Sequence, residues 1–315
     1  MNNSFSFEKN NPDLRVKLAG ITLKNPVMTA SGTFGYGEEY APLINLNELG
    51  AIVVKAITSK PRPGNPPPRV VEVAAGMLSS CGLQNVGVDK FIKEKLPYLR
   101  EFQVPIIVNV AGESVEDFMA VVEKLQGVEG ISALELNVSC PNVKNGGMVF
   151  GIDPEMVWKI VSEIKSVSKV PVICKLTPNV TDIVAIALAA QDAGADAVSL
   201  INALLGLAID IETKRPKLGN VTGGLTGPAI KPVAIRMVWQ VAQAVSIPVI
   251  GIGGITTADD ALEFIIAGAN AVQVGTANFF RPKATLEIIE GLKTYLLSHG
   301  YQSIRELKGT LSTIR

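Results

Sequence analysis

Six side chains in this sequence have the types and spacing for chemistry. In "NVSCPNVKNGGMVFG" (137–151), Cys140 stands among asparagines and a proline and is followed by a glycine pair. A thiol packed in a core needs no such flanks. A thiol carried on a loop above a reaction centre does. The other five end short apolar runs. Side chains alternate in direction along a strand, so Lys55 shares a face with Val53 and Ile57, Asn109 with Ile107, Asn137 with Glu135, Lys175 with Ile173, and Asn202 with Leu200. A lone strand-end asparagine often only bonds a turn. Two lysines and three asparagines converging on one mouth suggest a binding site, and a lysine near a barrel interior needs an anionic partner to keep its charge. Two glycine motifs, "GIGGI" (251–255) and "GTAN" (275–278), add backbone N–H groups suited to a phosphate.

These residues need elements to position them. Eight apolar runs read as strands: "PVMTAS" (26–31), "AIVVKAI" (51–57), "PIIVNV" (105–110), "ALELNV" (133–138), "PVICKL" (171–176), "DAVSLIN" (196–202), "PVIGIG" (248–253) and "AVQVGT" (271–276). Helical stretches separate them. "DPEMVWKIVSEIKSV" opens with Asp153 as N-cap and Pro154 in the first helical position, while "TDIVAIALAAQDAG" and "TADDALEFIIAG" begin at Thr and end at Gly. The alternation predicts a (β/α)8 TIM barrel, with the five polar residues at the C-terminal strand ends and the glycine motifs in loops seven and eight, where such barrels hold phosphate. An open doubly wound sheet ranks second, because no GxGxxG opens a helix after the first strand. "LRVKLAGITLKN" (14–25) reads as an N-terminal β-hairpin at the barrel bottom, and the proline-rich 58–70 as an ordered loop. The expectation is one domain over 1–315.

Composition removes several classes. The 315 residues carry 29 Lys plus Arg against 29 Asp plus Glu, so no basic excess draws nucleic acid. No apolar run reaches the length of a membrane span, and the N-terminus lacks a secretory pattern, so the expected location is cytoplasmic. Cys81, Cys140 and Cys174 with the single His299 make no metal set. A mean hydropathy of +0.31 suggests apolar surface for a partner.

The motifs "ASGTFGYG", "VKAIT", "GNPPPRV", "GLQNVG", "ALELNVSCPNVKNGG", "VTGGLTGPAIKPVAIR" and "VGTANF" follow in order over about residues 14–280, and with them the chain resembles the class 1B dihydroorotate dehydrogenase catalytic subunits. The resemblance implies an FMN-dependent oxidation of dihydroorotate to orotate in pyrimidine biosynthesis. It implies FMN contacts at Ser31, Lys55, Ala56, Asn109, Asn137, Lys175 and Ile201, and phosphate-side contacts at Gly227, Gly253, Gly254, Gly275 and Thr276. The substrate is implied to meet Lys55, the loop of Ser79, Ser80, Cys81, Gly82 and Leu83, and also Asn137, Asn142, Asn202 and the position of Ala203. Cys140 is implied to be the general base, with the hydride passing to the flavin and Lys175 answering the negative charge of reduced flavin. The resemblance further implies a homodimer core within a heterotetramer and a partner subunit holding FAD and a [2Fe-2S] cluster, with NAD as final acceptor.

Two positions depart from the family pattern. Ser79 stands where the family usually has an asparagine, and Ala203 where it usually has a hydroxyl residue. Both touch expected substrate contacts and neither touches the flavin or proton machinery. Oxidation of another reduced pyrimidine therefore stays open. So does a non-redox phosphate-binding barrel of aldolase or synthase type, which purified protein without colour would favour.

Overall fold

The computed structural model describes residues 11–138 and 150–313. Eight short strands form its centre: β1 (Val27–Thr29), β2 (Ile52–Val53), β3 (Ile106–Val110), β4 (Ala133–Asn137), β5 (Val172–Lys175), β6 (Ala197–Leu200), β7 (Val249–Ile252) and β8 (Ala271–Val274). All seven neighbouring pairs from β2 round to β1 through β8 are parallel. A parallel bridge from Met28 to Ala51 joins β1 to β2. Thr29 reinforces that seam, since its hydroxyl accepts from Val53 N at 3.0 Å. The chain therefore folds as the (β/α)8 barrel expected of it. Every residue of β3 to β8 is buried, which explains the mostly apolar runs: strands covered on both faces need no polar alternation.

Helices α1 (Val115–Leu125), α2 (Pro154–Val167), α3 (Ile183–Asp192), α4 (Lys231–Ala244), α5 (Ala258–Ile266) and α6 (Ala284–His299) follow β3 to β8 in turn. α1 buries Phe118, Val121, Val122 and Leu125, the three-and-four spacing of one helix face. Asp153 caps α2 as expected, and Thr257 caps α5 in a reciprocal capping box with Asp260. α3 differs from expectation. Its cap is Asp182, not Thr181; the carboxylate accepts from Val184 N and Ala185 N. After β2 the helical stretch runs Val88–Lys90, Phe91–Lys95 (π) and Leu96–Leu99, and between β1 and β2 the only helical turn is Leu46–Glu48.

The expected hairpin pairs Val16–Leu18 with Ile21–Leu23 immediately ahead of β1, and buries Leu18 and Leu23 completely under the barrel's N-terminal end. The other end carries an element that pattern reading missed. The insertion after β2 supplies strands Val70–Val73 and Gly76–Ser79, and the insertion after β6 supplies Leu204–Leu207 and Thr222–Thr226. They join as one four-stranded antiparallel sheet, with Gly224 opposite Ser79 and Leu205 opposite Gly224. Leu205 and Leu207 of this sheet, with Ile209 and Ile211 of the segment that follows them, are exposed, an apolar surface in keeping with the high hydropathy.

Candidate active site

The C-terminal strand ends and the inserted sheet enclose a cavity of about 350 Å³. Ser31, Lys55, Ala56, the 79–83 loop, Asn137, Lys175, Asn202, Ala203 and Thr276 all lie on its wall. A smaller cavity of about 80 Å³ shares Ser31, Lys175, Asn202, Ala203 and Thr276 and continues to Ile201, Gly227, Gly253, Gly254 and Gly275. The structure thus brings together nearly every site residue expected from the sequence. Asn109 differs in place. It is fully buried and lines neither cavity, lying one layer below. Cys140 and Asn142 lie outside the described residues.

The glycines after β7 are required by geometry. Gly253 and Gly254 have φ of 131° and 73°, and a Cβ on Gly254 would stand 2.8 Å from Lys231 Cβ and 2.9 Å from the Gly227 carbonyl oxygen. The same turn is held by Asp260. One of its oxygens accepts from Thr256 N, Thr256 Oγ1 and Thr257 N, and the other from Lys231 Nζ at 2.6 Å. Burial works to raise the Asp260 pKa, but Lys231 and the two threonines outweigh it and hold the carboxyl at about 2. The result is a rigid turn whose backbone approaches the small cavity closely, as a phosphate cradle must.

Across the mouth, Asn202 Nδ2 donates to Asn137 Oδ1 at 3.2 Å, and Asn202 Oδ1 accepts from Ala203 N at 2.9 Å. Lys175 Nζ donates to Ser31 Oγ at 3.1 Å and stands 3.7 Å from Glu135 Oε1. Glu135 is therefore the anionic partner that a lysine in the barrel interior needed, and the sequence reading gave it no role. Its inward facing was visible in the alternation of β4; its partners on β3, β6 and β8 were not. Lys55 differs from Lys175: it is half-buried on the cavity wall and forms no ion pair among the described residues. A lysine so placed favours an anionic ligand.

The 79–83 loop is clasped by the proline-rich segment. Asn65 N donates to the Cys81 carbonyl oxygen at 3.2 Å and Asn65 Nδ2 to that of Ser80 at 2.9 Å. Gly82, at φ 69°, passes so close that a Cβ would meet Asn65 at 2.6 Å. Ser79 Oγ and Cys81 Sγ are 3.5 Å apart on the cavity wall. Asn179, another residue without a role in the sequence reading, accepts from Leu205 N and donates to the Ala203 carbonyl oxygen, tying the second insertion to the β5 end. Cys174 faces away from the cavity; burial, with Glu135 adding to it, pushes its thiol up to about 12. Among the described residues no cluster of three His, Cys, Asp or Glu side chains is placed to hold a metal, and no helix is long and apolar enough to cross a membrane.

The family model for dihydroorotate dehydrogenase matches residues 13–296. Among curated relatives, a protein of Geotalea uraniireducens (strain Rf4) is 58% identical over 302 residues, covering 96% of this chain and 99% of its own. One of Thermoanaerobacter sp. (strain X514) is 57% identical over 299 residues, covering 95% and 99%. One of Geobacter sulfurreducens is 56% identical over 300 residues, covering 95% and 98%. All three are named dihydroorotate dehydrogenase B (NAD(+)), catalytic subunit.

Proposed function

Because the chain belongs to the dihydroorotate dehydrogenase family, we propose that it oxidises dihydroorotate to orotate in pyrimidine biosynthesis, with FMN as its bound flavin. The observation that carries the reading is Lys55, without an ion pair among the described residues, on the wall of the same cavity as the hydrogen-bonded Asn137 and Asn202, a cavity that shares Ser31, Lys175 and Thr276 with the one lined by Gly253, Gly254 and Gly275. The residues present fit the flavin. Gly253, Gly254 and Gly275 offer close backbone approach for its phosphate, and Lys175 and Ser31 stand where the two cavities meet. Asn109 Oδ1, buried with no partner among the described residues, is an acceptor beneath the same wall.

When bound, FMN supplies the two-electron acceptor for the hydrogen that leaves the substrate ring. The chain does the rest. Lys55 answers the negative charge of the substrate. Asn137 and Asn202 present amide groups to its ring edges. Cys140, three positions after the end of β4 in the sequence, takes the proton from the adjacent carbon; a thiol's ordinary pKa of about 8.5 makes alkaline pH favourable. Lys175 offers positive charge to the cofactor.

The relatives' name makes each a catalytic subunit linked to NAD(+). For this chain we place the electron exit in a partner subunit carrying FAD and a [2Fe-2S] cluster, the whole chain acting as one domain in a homodimer core of a cytoplasmic heterotetramer. Ser79 and Ala203 favour a second reading at one wall only, a related reduced pyrimidine whose substituent needs fewer hydrogen bonds there. An anaerobic visible spectrum before and after dihydroorotate tests the proposal. A yellow protein bleached by dihydroorotate, with bleaching slowed about 10²–10⁴-fold in Cys140→Ser, is the expected result. Colourless protein after FMN reconstitution refutes the flavin, and yellow protein bleached only by another dihydropyrimidine refutes the substrate.

A further inference from the structure

A fully buried carboxylate in the barrel has no part in the activity proposed above. Glu135 of β4 is fully buried, and four other strands reach its carboxylate. Asn109 Nδ2 of β3 donates to Oε1 at 2.7 Å, while Gln273 Nε2 of β8 and Ser199 Oγ of β6 donate to Oε2 at 2.6 and 2.9 Å. Lys175 Nζ of β5 stands 3.7 Å from Oε1. Barrel layers are ordinarily filled with branched apolar side chains, and a buried ion pair is weak as a source of stability because both charges must leave water. This cluster also carries a visible cost. By giving their NH₂ groups to Glu135, Asn109 and Gln273 leave Oδ1 and Oε1 buried without a partner among the described residues. A partly satisfied network is worse for a core than an apolar one, so stability alone does not account for it.

What the carboxylate does hold is Lys175, the one member of the cluster on the wall of both cavities. The ammonium is fixed between Ser31 Oγ at 3.1 Å and the Glu135 carboxylate behind it. We infer that Glu135 is a positioning residue: acting through Lys175, its negative charge sets how much positive charge the cavity wall offers a bound flavin, and so how readily that flavin accepts two electrons. The inference rests on the flavin reading above. With Glu135 in place the lysine's charge is compensated from behind. With a glutamine of the same shape the compensation is gone, and the more negative, reduced flavin gains.

The test is the two-electron potential of the bound flavin, measured anaerobically against a reference dye. Glu135→Gln should move the reduction equilibrium toward reduced flavin by about tenfold, raising the potential by about 30 mV. Glu135→Asp keeps the charge and should stay near the wild-type potential. Ser199→Ala removes one hydrogen bond to the same carboxylate and no charge; it should lower the thermal midpoint and leave the potential unmoved. An unshifted or lowered potential in Glu135→Gln, or an equal shift in Ser199→Ala, overturns the inference. If Glu135→Gln does not retain flavin, Glu135→Asp decides: flavin kept at the wild-type potential supports it, and flavin lost despite the charge overturns it. Wild-type protein that binds no flavin strikes the parent reading instead, before any variant is compared.

Discussion

Asp260→Asn should loosen the turn after β7 in a pH-dependent way. The wild-type carboxylate accepts from Thr256 N at 2.8 Å, Thr256 Oγ1 at 2.7 Å, Thr257 N at 2.9 Å and Lys231 Nζ at 2.6 Å. An amide cannot accept all four, because its nitrogen is a donor and meets either the ammonium or the backbone N–H groups. The folded pKa of about 2 lies below the ordinary 3.8. A depressed folded pKa contributes stability that is complete above the unfolded value and is lost as pH falls through the folded one. The gap corresponds to at most about 2 kcal/mol at pH 7, and screening reduces it to about 1–2 kcal/mol, since the Lys231 and Asp260 side chains are 23% and 12% exposed. By pH 3 about half of that is gone. Urea unfolding of flavin-free wild type and variant, followed by far-ultraviolet circular dichroism at both pH values, measures it. The wild type should lead by about 1–2 kcal/mol at pH 7 and by about half as much at pH 3. A lead that is equal at both pH values, or absent at pH 7, would refute the reasoning, because the ionised carboxylate would then not be what holds the turn.

Ser79→Asn combined with Ala203→Thr should tighten orotate by about 1–3 kcal/mol in a flavin-absorbance titration. The threonine must turn its branch away from Gly224, where even a Cβ would come within 2.5 Å of Ala203 Cβ. Equal affinity in the two proteins would show both departures to be neutral. Cys174, fully buried and pushed up to about 12, should resist an aromatic disulfide reagent at pH 8 in native protein and react only in denaturant, while half-buried Cys81 reacts first. Native Cys174 reacting as fast as Cys81 would contradict the burial argument.

The barrel was legible because each of its strands lies in a short, mostly apolar run, and the polar residue ending a run stands out by alternation. Lys55, Asn137, Lys175 and Asn202 were found that way and share one cavity. The inserted sheet was not legible. Its strands "GMLS" and "TGGLT" are short and glycine-bearing, and they owe their conformation to each other, with Thr226 Oγ1 reaching the Met77 carbonyl oxygen across 149 positions. Local pattern carries nothing about such a pairing. Glu135 was hidden for a related reason: a single acid in a strand does not say which strands will face it. At α3 two adjacent cap formers, Thr181 and Asp182, are equivalent as sequence, and only the register of the first turn picks the second.

The inserted sheet divides the mouth between two lineages of change. The proposed cofactor cradle belongs to the ends of β7 and β8, whereas the wall bearing Ser79 and Gly224 is built from chain that the barrel does not need in order to close. On the proposed substrate reading, substitutions in the sheet should alter which ring fits and leave the barrel registers alone. Position 203 directly precedes the strand that pairs with Gly224, and position 79 lies opposite that same glycine, so the two are neighbours through it. A change at one alters the room available at the other, and substitutions there are expected to accumulate as pairs across a family tree rather than singly.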